Sequence, residues 1–331
     1  MKRPYPGLAP LVGLLTTFLD NGGRGSIVDA TQEDIQAARD KVFPTSPPFS
    51  WITGRVPTHV RIDEGSAPAR DGASIPLRWY TPRTRRLGHP LVVFFHGGGW
   101  VQGSTQMYDP LCSHLADELD ALVVSVDYRM APEHRAPTAS HDAIDVTRWL
   151  HANPQRGADV TRIALCGDSA GGNLSAIVAQ ELRDLRTESG EPVIRHQALL
   201  YPSTDLTMAS PSIKEHSEGA ILTEAKILAF RAHYIGDAAD AVSLTDPLVS
   251  PLFGDVAGVA PALIQTADLD PIRDDGLRYG EALREAGVPV RVTNYVGLPH
   301  GFASFPGVTR AGAQHRAELV DELRRHLSQG A

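Results

Sequence analysis

The sequence predicts an α/β architecture: a mostly parallel, eight-stranded sheet with helices on both faces and a helical cap. Three observations carry this. From residue 58 onward, segments of strand character alternate with segments of helical periodicity. Several strand segments are unbroken apolar runs, as strands buried on both faces of a parallel sheet should be. Two stretches, 1–55 and 205–245, break the alternation and carry helix signals without a buried strand.

The first stretch begins "MKRPYPGLAPLVGLLTTFLD". Lys2 and Arg3 before an apolar run imitate a secretory leader. However, Leu11, Leu14, Leu15, Phe18 and Leu19 fall at i, i+3, i+4, i+7 and i+8, the stripe of an amphipathic helix, and Gly22–Gly23 supply a stop. No small-residue cleavage site follows, and the run is too short to span a bilayer. Residues 1–55 therefore read as the first part of a cap, with no stable membrane insertion, and "FPTSPPFSW" (43–51) as its connection to the core. The core, 56–204, opens with the strands "THVRI" (58–62), "IPLRWY", "PLVVFF", "ALVVSVDY", "RIALCGD" and "HQALLYP", with helical patterns around 107–119, 140–153 and 170–187. Residues 205–245, loop plus helix, form the second part of the cap. Its Ile221, Leu222, Ile227, Leu228 and Phe230 offer an apolar partner for the stripe of the first helix. The core resumes over 246–331 with "ALIQTAD" and "VRVTNY" and helical patterns around 274–286 and 311–328.

The 331 residues carry a formal net charge of −8 with charges interspersed, so no basic surplus exists for a phosphate backbone and nucleic acid is not expected as a partner. Two cysteines, Cys112 and Cys166, make no disulfide framework; a reducing, cytoplasmic location fits. There is no H-E-x-x-H and no paired C-x-x-C, and the thirteen histidines are scattered, so neither metal nor another cofactor is expected.

Two motifs carry chemistry. "HGGGW" (96–100) breaks off the apolar strand "PLVVFF", and consecutive glycines let backbone N–H groups approach another group closely. "CGDSAGGN" (166–173) contains a G-x-S-x-G between the strand "RIAL" and the helix "NLSAIVAQELRDL", the context of a nucleophile elbow that presents Ser169 at the top of the sheet. The two motifs explain each other. An acyl-transfer site needs N–H donors aimed at the developing oxyanion, and Gly98 and Gly99, with Gly97 as a possible third, can supply them beside Ala170. His96 reads as a support that holds this loop in shape, and Cys166 as a buried strand residue.

A serine nucleophile needs a base, and the base an orienting carboxylate. His300 in "GLPHGF" follows the last strand on a loop, whereas His315 and His326 fall on a charged helical pattern and are expected in solvent. Asp268, Asp270, Asp274 and Asp275 all follow "ALIQTA", and spacing alone does not choose among them.

With these blocks the sequence resembles the hormone-sensitive-lipase-like group of α/β-hydrolases, bacterial carboxylesterases with HGGG and GDSAGG signatures. The resemblance extends over "DYRMAPEHRAPTASHDA" (127–143), "YPSTD" (201–205), "DPLVSPL" (246–252), "DPIRDDG" (270–276) and "HGF" (300–302). Ala136 departs from it, standing where the family has an aromatic before proline. The resemblance implies that Asp270 is the carboxylate orienting His300. It also implies a Ser169–His300–Asp270 triad hydrolysing small to medium acyl esters through an acyl-enzyme, and subunits paired through a sheet edge, here "VRVTNYVG" (290–297), as a homodimer. Beside the serine carboxylesterase stand an amide or N-acetyl hydrolase on the same machinery and a binding protein that keeps the pocket without turnover.

Overall fold

In the computed structural model, residues 7, 8, 10–21, 26–42, 44–84, 87–236 and 241–328 are described. Among them one sheet is formed by β1 (Arg61–Pro68), β2 (Ser74–Thr81), β3 (His89–Phe95), β4 (Leu122–Val126), β5 (Ala158–Asp168), β6 (Ile194–Leu200), β7 (Ala262–Leu269) and β8 (Val290–Pro299). Its order is β1-β2-β4-β3-β5-β6-β7-β8. β1 and β2 are antiparallel to each other, and β2 to β4; every later pairing is parallel.

The apolar runs place themselves. Successive side chains of a strand point to opposite faces, so Leu91, Val93 and Phe95 of β3 enter one core with Ile144, Leu174 and Ile177. Val92 and Phe94 enter another core with Leu111, Leu115, Leu319 and Leu323. The helices covering the two faces and the top are α1 (Pro10–Asn21), α2 (Gln32–Arg39), α3 (Phe49–Thr53), α4 (Asp109–Leu119), α5 (Thr138–Ala152), α6 (Ala170–Glu181), α7 (Ser212–Glu215), α8 (Glu224–Ile235), α9 (Arg273–Glu285) and α10 (Arg310–Leu327). α2 starts on a reciprocal capping box between Thr31 and Asp34. It carries Arg39, whose guanidinium pairs with Glu133 and donates to the Val101 carbonyl at 2.8 Å, tying the N-terminal stretch to the loop after β3. α8 packs on the short helical turn Ile27–Asp29, so the two stretches that break the alternation touch each other. No helix among the described residues is long and apolar enough to cross a membrane.

Three expectations need correction. The strand expected at 58–62 begins only at Arg61, because Val60 N–H turns back to the Pro57 carbonyl, and it runs on through polar residues at the edge of the sheet. On α1, Leu11 is 62% exposed while Val12 and Thr16 are buried. The buried face is therefore rotated from the expected stripe; the side chains of Leu14, Phe18 and Leu19, and the Gly22–Gly23 stop, lie outside the described residues. His315 is fully buried and not in solvent, because Gln265 on β7 provides a partner for its Nδ1 at 3.1 Å. His326 is half-buried and stacks on His196.

Candidate active site

The elbow between β5 and α6 is fixed by backbone. Ser169 has φ +53° and ψ −115°, outside the regions an L-residue prefers. It is pinned by its own N–H to the Leu200 carbonyl at 2.8 Å and by its carbonyl, which accepts from Asn173 N–H at 3.0 Å. The close approach of α6 to β3 leaves no room at Gly171, where a Cβ would overlap the Phe95 carbonyl. That contact is why the residue two after the serine must be glycine.

From this turn the Ser169 hydroxyl meets His300, with Oγ 2.9 Å from Nε2. His300 Nδ1 lies 2.7 Å from Asp270 Oδ2, so the carboxylate accepts the Nδ1 proton and leaves Nε2 free to accept from the serine. Asp270 is fully buried just past β7, and its other oxygen accepts from the Ile272 N–H at 2.9 Å. Tyr201 packs edge-on against the imidazole with ring centroids 4.8 Å apart. The neighbouring carboxylates are placed elsewhere. Asp268 accepts from Gly297 N–H at 3.3 Å; Asp274 accepts from Ser212 N–H at 3.0 Å; Asp275 is buried and accepts from the Ser210 hydroxyl and from Asp205 N–H. The last goes beyond the helix-start role its position suggests.

The loop after β3 is shaped by side chains behind it. Gly98, at φ +123°, has its carbonyl accept from Val101 and Gln102 N–H groups, which closes a tight turn, and Gly99 lines the same cavity as Ser169. His96 donates from Nδ1 to the Gly97 carbonyl at 2.8 Å and stacks on Tyr128, whose hydroxyl donates to the His96 carbonyl at 2.7 Å. Burial pushes the His96 imidazole below its ordinary range, which keeps it neutral in this support. Gly97 N–H donates to Asp168 Oδ1 at 2.7 Å and approaches the Tyr108 hydroxyl at 3.1 Å. Gly97, carried above as a possible oxyanion donor, is corrected on this ground: its N–H is already committed. Asp168 also accepts from the hydroxyls of Tyr108 at 2.9 Å and Tyr201 at 3.4 Å; burial raises its carboxyl to about 6 against these hydrogen bonds.

Above Ser169 lies a small cavity of about 40 Å³, walled by Trp100, Leu206, Leu222, Ile227 and Phe230. Trp100 stacks on Tyr234 of α8 with centroids 4.4 Å apart and planes 5° from parallel. Neither Tyr108 nor Tyr234 carries a sequence signal, since buried aromatics are ordinary core residues, and Tyr201 is marked only by its place in the "YPSTD" block. Among the described residues no three His, Cys, Asp or Glu side chains gather as a metal site.

A sheet of this order, with a serine on a strained strand-to-helix turn and a histidine and carboxylate on the loops after the last two strands, defines an α/β-hydrolase. The family described by the alpha/beta hydrolase fold matches residues 92–304. Carboxylic ester hydrolase LipN of Mycobacterium tuberculosis is 42% identical over 273 residues, 82% of this chain and 72% of the relative. An ethyl acetate hydrolase of Pseudomonas putida is 36% identical over 280 residues, 83% and 86% of the two chains. A hyperthermophilic esterase of the archaeon Pyrobaculum calidifontis superposes with a TM-score of 0.83 at 35% identity, covering 96% of this chain and 98% of its own. The chain belongs to the α/β-hydrolase family, within its hormone-sensitive-lipase-like carboxylesterases.

Proposed function

We propose that this enzyme, a carboxylic ester hydrolase, acts on small to medium acyl esters through a covalent acyl-enzyme. Ser169 Oγ attacks the ester carbonyl while His300 Nε2 takes its proton; Asp270 holds the tautomer and steadies the imidazolium that results. The N–H groups of Gly98, Gly99 and Ala170 receive the developing oxyanion. The tetrahedral intermediate collapses as His300 returns the proton to the leaving alcohol, and a water activated by the same imidazole then releases the acid. One observation supports this reading above the others: the unbroken hydrogen-bond chain from Ser169 through His300 to buried Asp270.

The small cavity at Ser169 favours short acyl groups; residues 205–245, which line it, and residues 1–55, which touch them through the contact of Ile27–Asp29 with α8, form the cap, with 56–204 and 246–331 as the catalytic core. β8 is the terminal strand of the sheet among the described residues, which suits the homodimer the family resemblance implies. Turnover of p-nitrophenyl esters of increasing chain length, beside matched amides, tests the assignment. Hydrolysis of the short esters and stoichiometric labelling of Ser169 by a fluorophosphonate are expected. Faster cleavage of the amides would move the enzyme to the amide-hydrolase reading, and failure to label Ser169 would leave only a binding protein.

A further inference from the structure

A second, larger cavity of about 220 Å³ shares no lining residue with the one at Ser169. It lies between the N-terminal stretch, through Leu15, Phe49 and Ile52, and the core, through Met107, Leu111 and Phe305. Among the described residues one charged group lines it, Arg316 of α10. The guanidinium donates from one terminal nitrogen to the Thr53 carbonyl at 3.1 Å; its Nε is buried without a partner, and no carboxylate among the described residues pairs with it. Partial burial drives its pKa down to about 10.

An unpaired guanidinium at an apolar chamber lacks an anion, and a monoanion suffices to neutralise it. The planar fork of arginine matches a carboxylate in particular. The chamber sets the tail. A dry cavity of about 150 Å³ accepts benzene, so by proportion this one takes about nine non-hydrogen atoms. We propose that this cavity binds a medium-chain carboxylate, its tail among Leu15, Phe49, Ile52 and Phe305 and its head on Arg316. The site does not depend on the catalytic reading, although carboxylates are what ester hydrolysis releases.

Calorimetric titration of the full chain with octanoate and with 1-octanol tests it without turnover. Octanoate binds one to one. Arg316→Met weakens it by about tenfold or more, the loss expected for a charged hydrogen bond, and leaves octanol unchanged. Thr45→Trp, which places an indole at an exposed position of the cavity wall, weakens both ligands, and Leu222→Trp in the other cavity weakens neither. Where Arg316→Met loses its far-ultraviolet dichroism, Arg316→Lys replaces it, with weaker octanoate and unchanged octanol again required. The proposal is overturned by the absence of octanoate binding, by equal binding in the folded arginine variant, or by loss of binding in Leu222→Trp but not in Thr45→Trp.

Discussion

The elbow and the proposed cap over it are held by different forces. Around Ser169, Gly97, Asp168 and Asp270, nearly every polar atom has a named partner within hydrogen-bond distance, so the positions of the reacting groups are over-determined. Over the same serine, Leu222, Ile227 and Phe230 contribute apolar surface with no directional bonds of their own side chains. Directional bonds fix a geometry to fractions of an ångström, whereas apolar contact fixes only a volume. On the proposed reading, chemistry and substrate choice are therefore written in different physics a few ångströms apart, and substitutions in the two regions should fail differently.

The largest effect is expected at the over-determined side. Ser169→Ala lowers kcat by about 10⁴-fold or more with the melting temperature unchanged, because it removes the proposed nucleophile and leaves only a small void. Asp270→Asn costs on the order of 10³- to 10⁴-fold by favouring the wrong imidazole tautomer, while Asp268→Asn, whose carboxylate only holds a loop N–H, costs less than about tenfold. A reversed order of these two in steady-state kinetics would mean that the wrong carboxylate has been assigned.

On the cap side the effect is smaller and of another kind. Phe230→Ala shifts the optimum towards longer acyl chains, with a change in kcat/KM of about tenfold or less on the shortest ester, since the cavity grows while the Ser169–His300–Asp270 geometry stays. An unchanged chain-length profile would detach α8 from substrate choice.

The smallest effect is one of stability. Burial, helped by the neighbouring Asp205, raises the Asp275 carboxyl to about 7, against a value of 3.8 for an unperturbed aspartate. The folded state thus holds its proton more tightly than the unfolded chain does. Its contribution to stability is fully present below about pH 4 and is lost as pH rises to about 7. Asp275→Asn removes this loss, so the variant gains on the wild type between pH 4 and pH 8. Melting curves with the same difference at both pH values count against it.

How far the sequence reveals the site follows the same division. The elbow is legible because a backbone that allows no Cβ at Gly171 forces a glycine there, and the strand and helix on either side confirm the context. His300 is legible from its loop after the last strand. Asp270 is not: four aspartates crowd within eight residues, and only the family resemblance singles one out. The commitment of Gly97 N–H to Asp168 was hidden because three consecutive glycines look alike until the side chains behind them are placed. The strand expected at 58–62 lies too early because an edge strand buries little and the polar continuation of β1 to Pro68 gives no apolar pattern, and the exposed Leu11 shows that a helical stripe gives the period of burial more reliably than its phase. Arg316 gave no signal, since an arginine on a charged helix reads as a solvated one.

The stack of Trp100 on Tyr234 joins the two regions. Trp100 directly follows the proposed oxyanion donor Gly99, and Phe230, one turn before Tyr234, presses on that glycine. The helix and the loop are thus expected to move as one lever. On that expectation, an acyl chain bulky enough to push α8 outward also tilts the proposed donors away from the oxyanion, so an oversized ester binds and then stalls. In a homologous ester series this appears as a fall in kcat ahead of any rise in KM, accompanied by a change in the emission of an indole released from its tyrosine.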